Sequence, residues 1–286
     1  MSYQIITDSC CDFTQAQYAQ LGLTYAPLTL LYKGSEYESF TEADALHVFY
    51  DGIRAGQMPT TSAVNPEGWV RVMEPVLAGG RDVLCLAFSS GLSATYQSAV
   101  IAAEELREKY PHRKIHVVDT LCAALGQGLL VYKACEKRDQ GFSLEELTAW
   151  VEENKLKLCH WVTIDDLDHL KRGGRVSSTT AFVGGMLGIK PIIIMDEQGK
   201  LDTVGKCRGR KAAMEYLAKK LREDGTDVET IFIAHGDCPE DAAALERLCR
   251  ETCPAVKNVM TGYVGGVIGA HTGPGVLVLF FLGRHR

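Results

Sequence analysis

Through the first half of the chain, short runs of apolar and β-branched residues alternate with stretches of helical period, the pattern of a parallel sheet wrapped by helices. Gln4–Ile6, Tyr25–Tyr32, Val83–Phe88 and Ile115–Val118 predict strands. Helix starts are marked by Thr14 with Gln17, by Asn65 with Pro66 at the first helical position, and by Ser143 with Glu146. The second half changes character. Pro191–Met195, the turn Asp196-Glu197-Gln198-Gly199 and Lys200–Lys206 predict a hairpin, which makes antiparallel sheet. Further strands are expected at Cys159–Ile164, Thr230–Ala234, Val256–Gly262 and Val276–Leu282, with helices near Arg208–Arg222 and Glu240–Thr252. The expectation is an α/β chain of two domains. Residues 1–156 would form a Rossmann-like parallel sheet with flanking helices, and residues 157–286 an α/β domain with a largely antiparallel sheet, the boundary falling near Asn154–Leu158. A length of 286 residues fits two domains of roughly 150.

Composition narrows the function. Thirty Lys and Arg against 36 Asp and Glu give a formal charge of −6, which disfavours duplex DNA as a partner because phosphate binding draws on clustered positive charge. The N-terminal Met1-Ser2-Tyr3-Gln4 carries no basic region followed by an apolar stretch, and no apolar run approaches the roughly 18 residues a membrane span needs. A cytoplasmic protein is expected, and its ten cysteines read as free thiols.

In an open parallel sheet, ligands bind beyond the carboxyl ends of the strands. Here those loops are rich in hydroxyls: Thr7-Asp8-Ser9, Ser89-Ser90-Gly91-Leu92-Ser93, Asp119-Thr120 and, ahead of the Asn65-Pro66 helix start, Pro59-Thr60-Thr61-Ser62. Such residues commonly cap helices, and Ser93 fits that role as well as a binding one. Thr61 is harder to absorb, because Asn65 already caps its helix. Thr14 relieves Thr7, Asp8 and Ser9 in the same way. Spare hydroxyls facing a helix N-terminus suit a carboxylate or phosphate.

The glycine clusters Gly173-Gly174, Gly184-Gly185, Gly265-Gly266 and Gly269–Gly275 fit no nucleotide cradle, and at Gly126-Gln127-Gly128 the third position of a G-x-G-x-x-G pattern is Val131. No nucleotide cofactor is expected. The His271 loop reads either as a turn before the last strand or as a close backbone approach to a ligand with one imidazole. Lys171-Arg172 with Arg175, and Lys206, Arg208, Arg210 and Lys211, are basic groups able to complement an anion, or simply solvated faces. His235, Cys238, Cys249 and Cys253 lack metal-ligand spacing, so no metal site is expected. Two other classes remain open. Ser93, Asp119 or Asp165, and His271 follow the chain order of an α/β-hydrolase triad, although Gly91-Leu92-Ser93-Ala94-Thr95 lacks the second glycine of the nucleophile elbow. The hydroxyl loops alone also suit another small anion, such as a phosphorylated metabolite.

Five stretches in order resemble the DegV family of bacterial fatty-acid-binding proteins: Ile6–Ser9, Pro59–Ser62, Ser89–Ala99, Leu170–Ser177 and Gly269–Gly275. The resemblance implies a long-chain fatty acid buried between the two domains, in a non-catalytic carrier that in some members presents the acid to a separate kinase subunit. It implies that Thr61 and Ser93 hold the carboxylate, and that Arg175, Arg208 and His271 lie around the head group or a partner-facing mouth. This chain departs from the family pattern at Cys10-Cys11, at Ala63-Val64-Asn65 and at Ala94, whose methyl stands beside the expected carboxylate site.

Overall fold

The computed structural model describes residues 2–38, 42–165, 167–176 and 188–286. Ser177 and the Gly184-Gly185 pair lie outside them. The first part of the chain runs β1 (Tyr3–Asp8), α1 (Gln15–Gln20), β2 (Thr24–Ala26), β3 (Thr29–Tyr32), β4 (Ser35–Glu38), α2 (Ala43–Arg54), β5 (Thr60–Ser62), α3 (Pro66–Ala78), β6 (Asp82–Ala87), α4 (Thr95–Lys109), β7 (Ile115–Asp119), α5 (Ala124–Asp139) and α6 (Leu144–Asn154). The second part runs β8 (Leu158–Thr163), α7 (Asp168–Gly173), β9 (Ile189–Met195), β10 (Leu201–Arg208), α8 (Arg210–Asp224), β11 (Gly225–His235), α9 (Pro239–Thr252), β12 (Asn258–Tyr263), α10 (Gly266–Thr272) and β13 (Leu277–Gly283).

The fold is α/β with two main sheets. Strands β2-β1-β6-β7 form a wholly parallel sheet, and β10-β9-β8-β13-β11-β12 form a second sheet that is antiparallel except for the β11–β12 pair. The three helix starts read from the sequence are present: Thr14 and Ser143 each form a reciprocal capping box, and the Asn65 side chain accepts from Gly68 N–H ahead of α3.

Three local expectations need correction. Tyr25–Tyr32 is not one strand, because Pro27 has no N–H to give a ladder. The chain turns there, Leu28 N–H donates to Ser9 Oγ at 3.0 Å, and β3 joins a small antiparallel sheet, β4-β3-β5. Thr60–Ser62 is accordingly a strand rather than a loop, with Thr61 opposite Leu30. The His271 segment is also not a turn, since His271 sits in the last turn of α10.

Helix α5 packs between the two sheets, and its first two turns, Ala124 to Val131, are buried throughout. Gly126 makes this approach feasible: a Cβ there would stand 2.3 Å from His160 Nε2 and 2.6 Å from Phe280 Cδ1. The Gly126-Gln127-Gly128 cluster therefore serves helix-to-sheet packing. One hydrophobic core joins both halves, with Leu86, Leu125 and Phe280 among its members.

Candidate functional site

A cavity of about 270 Å³ lies against the inner face of the six-stranded sheet. Strand alternation builds its wall. Val278 and Phe280 of β13, with His160 and Val162 of β8, point into it, while Leu277, Leu279 and Phe281 turn to the opposite face and pack against α8 and α9. Helix α10 adds Val267 and Ile268, and the β9–β10 hairpin adds Met195 and Leu201. The lining is mostly apolar, and its polar members come from β5, the loop before α4, β8, the segment after α7, and α10.

Of the five residues expected around an anionic head group, the structure brings four to this cavity: Thr61, Ser93, Arg175 and His271. Arg208 is not in the wall; it lies exposed at the end of β10, opposite Ile189. Thr61 Oγ1 and His271 Nε2 are 2.8 Å apart. The other ring nitrogen of His271 packs on Gly173, where a Cβ would stand 2.5 Å from Nδ1. Burial, then the nearby Arg175 charge, lowers the His271 pKa to about 4, so the imidazole is neutral at pH 7. Arg175 donates to Gly173 O and, at 3.4 Å, to Leu92 O, bridging the turn under His271 to the loop that carries Ser93. Ser93 Oγ lies 2.8 Å from Thr95 Oγ1 and accepts from Thr95 N–H at 3.2 Å, so it helps to begin α4 and also faces the cavity.

A second, more polar cavity of about 290 Å³ lies on the other side of this group. Gln57, Met58, His169 and Arg172 line it, together with the same Thr61, Arg175 and His271. Those three side chains separate an apolar chamber from a polar vestibule.

The remaining hydroxyl loops are spent internally. Thr7 Oγ1 donates to Leu86 O at 2.8 Å, Ser9 accepts from Leu28 N–H, and Asp8 accepts from Phe88 N–H at 2.7 Å and Cys10 N–H at 3.0 Å. Burial still pushes the Asp8 pKa up to about 6 against those two bonds. These residues brace the strand ends and are not part of the cavity wall, so freedom from capping α1 did not make them spare.

The hydrolase constellation is not assembled. Ser93 pairs with Thr95 and His271 with Thr61, Asp119 accepts from Ser90 and Leu121 N–H, and Asp165 pairs with Lys190. No two triad candidates bond to each other, as nucleophile, base and orienting acid must. His235, Cys238, Cys249 and Cys253 form no ligand cluster. Among the described residues the group with metal-ligand spacing is His47, Asp51 and Asp237, where Asp237 is already paired with Arg54 and with His47.

His160 is a cavity residue that the sequence reading did not single out. It is 4% exposed, accepts from Ala123 N–H at Nε2 (3.2 Å) and donates from Nδ1 to Leu158 O (3.1 Å), and burial lowers its pKa to about 3. Its one sequence signal was an imidazole at an inward position of the apolar run Leu158–Val162.

Fold and site together define a two-sheet α/β protein with an apolar chamber closed by a hydroxyl and imidazole pair. A family model described as "Uncharacterised protein, DegV family" matches residues 2–284. A DegV domain-containing protein of Clostridium perfringens is 45% identical over 98% of this chain and 97% of its own. Among solved structures, a fatty-acid-binding DegV family protein from Thermus thermophilus superposes with a TM-score of 0.88 at 31% identity, covering 99% of this chain and 100% of its own. A DegV lipid-binding protein from Thermotoga maritima gives 0.86 at 29%, with both chains fully covered. The chain belongs to the DegV family.

Proposed function

We propose that this protein binds a long-chain fatty acid, with the acyl chain in the apolar chamber and the carboxylate at Thr61 and Ser93, beside Arg175 and His271. The chain is divided at residues 156 and 157, with the ligand between the two parts. The observation that carries the reading is the polarity of the chamber: apolar walls that end on hydroxyls, a neutral imidazole and one guanidinium. The fatty-acid and lipid binding named for the Thermus and Thermotoga relatives supports it.

The tail supplies affinity and the head group supplies orientation. Burying roughly 14 methylenes at about 0.8 kcal/mol each offers on the order of 11 kcal/mol, from which chain ordering and lost translation are subtracted. An unpaired buried carboxylate would cost several kcal/mol. In this reading the two hydroxyls prevent that. With His271 Nε2–H donating to Thr61 Oγ1 and Thr95 Oγ1–H donating to Ser93 Oγ, each accepts from within the protein and turns its own proton to the carboxylate, in bonds strengthened by the ligand's charge.

The protein acts as a carrier rather than an enzyme, presenting the acid to a separate kinase subunit at the vestibule, and Arg208 contacts that partner instead of the head group. Mass spectrometry of lipid released by denaturing the purified protein tests the ligand: a long-chain fatty acid near one equivalent is expected. A protein that carries none and fails to bind added palmitate would overturn the reading.

A further inference from the structure

Ser89 is fully buried and does not line the cavity, yet bonds from three parts of the fold meet on it. Its Oγ donates to Gly199 O at 2.7 Å, in the turn of the β9–β10 hairpin, and accepts from Gly91 N–H at 3.2 Å. Its N–H donates to Cys122 O at 3.2 Å, in the loop before α5. Its carbonyl accepts from Leu92 N–H at 3.1 Å and from Ser93 N–H at 3.2 Å. The Ser93 loop is thus wound around Ser89, whose hydroxyl ties it to the β9–β10 hairpin, while Arg175 bonds the same loop at Leu92 O.

The contact between loop and hairpin is backbone against backbone. A Cβ on Gly91 would stand 2.5 Å from Gly199 O, and one on Gly199 would stand 2.2 Å from Ser89 Oγ. The hairpin turn is held from behind as well, because Arg286 donates to Asp196 O at 2.8 Å and to Lys155 O at 2.9 Å. The residues flanking that turn, Met195 and Leu201, form part of the apolar wall.

From this arrangement we infer that Ser89 is a positioning residue for the carboxylate site: its hydroxyl fixes the Ser93 loop against the hairpin so that Ser93 Oγ is aimed at the head group. The inference rests on the fatty-acid reading above and adds to it a residue that touches no ligand. Removing the hydroxyl leaves Gly199 O without its donor and Gly91 N–H without its acceptor, which loosens the loop's seat on the hairpin and misdirects a bond whose strength depends on direction.

The test is a double-mutant cycle on the full chain, with palmitate affinity measured by calorimetry for wild type, Ser89→Ala, Ser93→Ala and the double variant. Ser89→Ala should weaken binding by about fivefold to tenfold where Ser93 is present, the scale of one ordinary hydrogen bond, and have no further effect where Ser93 is already alanine. A merely structural role predicts the same loss in both backgrounds. Equal losses, or no loss at all from Ser89→Ala, would overturn the inference while leaving the carboxylate site intact. Unchanged affinity in Ser93→Ala would overturn the carboxylate assignment itself and this inference with it. Should Ser89→Ala not fold, Ser89→Cys keeps a group at the γ position with a weaker donor and enters the same cycle, with a smaller loss expected in the Ser93 background and none in the other.

Discussion

Helix α10 and strand β5 meet in one side-chain bond, His271 Nε2 to Thr61 Oγ1 at 2.8 Å, between residues 210 positions apart in sequence. Because burial and Arg175 keep the imidazole uncharged, the bond orients a hydroxyl without placing a second cation beside the proposed carboxylate site.

Replacing both hydroxyls, in Thr61→Ala with Ser93→Ala, should lower palmitate affinity about a hundredfold, since each removes one charge-assisted bond worth roughly tenfold. Both residues are only half-buried, and the melting temperature should change little. Calorimetric titration and a thermal melt on the same samples check both parts.

Arg175→Ala should raise the His271 pKa above about 4, because it removes the positive charge that adds to burial in holding the imidazole neutral. An NMR titration of the His271 ring resonances reads the shift directly. A midpoint that stays where it was, or moves down, contradicts the electrostatic account.

His160 and Asp8 load acid stability in opposite directions. Below pH 6.5 an unfolded chain protonates His160, whereas the folded chain refuses that proton until about pH 3, so His160 costs stability as pH falls. Asp8 holds its proton up to about pH 6 when folded and only to 3.8 when unfolded, so it adds stability as pH falls through that window. Substituting His160→Asn should therefore make the variant gain on wild type by about 1.4 kcal/mol per pH unit, one proton's worth, between about pH 6 and 4. Urea unfolding across that range measures the difference.

A methyl group at position 126 has no room. Gly126→Ala should destabilise the fold by about 1–3 kcal/mol, the usual cost of overpacking, and push His160 off Ala123 N–H. Equilibrium unfolding gives the cost, and the Ala123 amide shift reports the lost partner.

Val278 offers a test of the apolar wall. Val278→Phe should reduce palmitate affinity about tenfold or more while sparing a much shorter acid, since the added ring consumes space in the chamber proposed for the tail. Competition between the two acids on the variant separates tail exclusion from general damage.

Much of this architecture was legible in the chain because local signals and packing agree. Alternation placed the strands of both sheets, and Thr14, Asn65 and Ser143 marked helix starts that the structure contains. Errors arose where one residue decided against the pattern: Pro27 cut an apolar run in two, and the glycines around His271 suggested a turn where α10 runs. At the site, Thr61 stood out because Asn65 had already capped its helix. Thr7, Asp8 and Ser9 passed the same filter, yet their partners, Leu86, Phe88 and Leu28, lie across the fold and leave no trace in local sequence. Ser89 and His160 were opaque for the same reason, since their importance lies in carbonyls and amides that only the folded chain brings near.

Thr61, Arg175 and His271 floor one chamber and roof the other. A molecule anchored on them would keep its tail in oil while its charged end stood a single side chain away from water. Chemistry at the wet end would then require no withdrawal of the oily one.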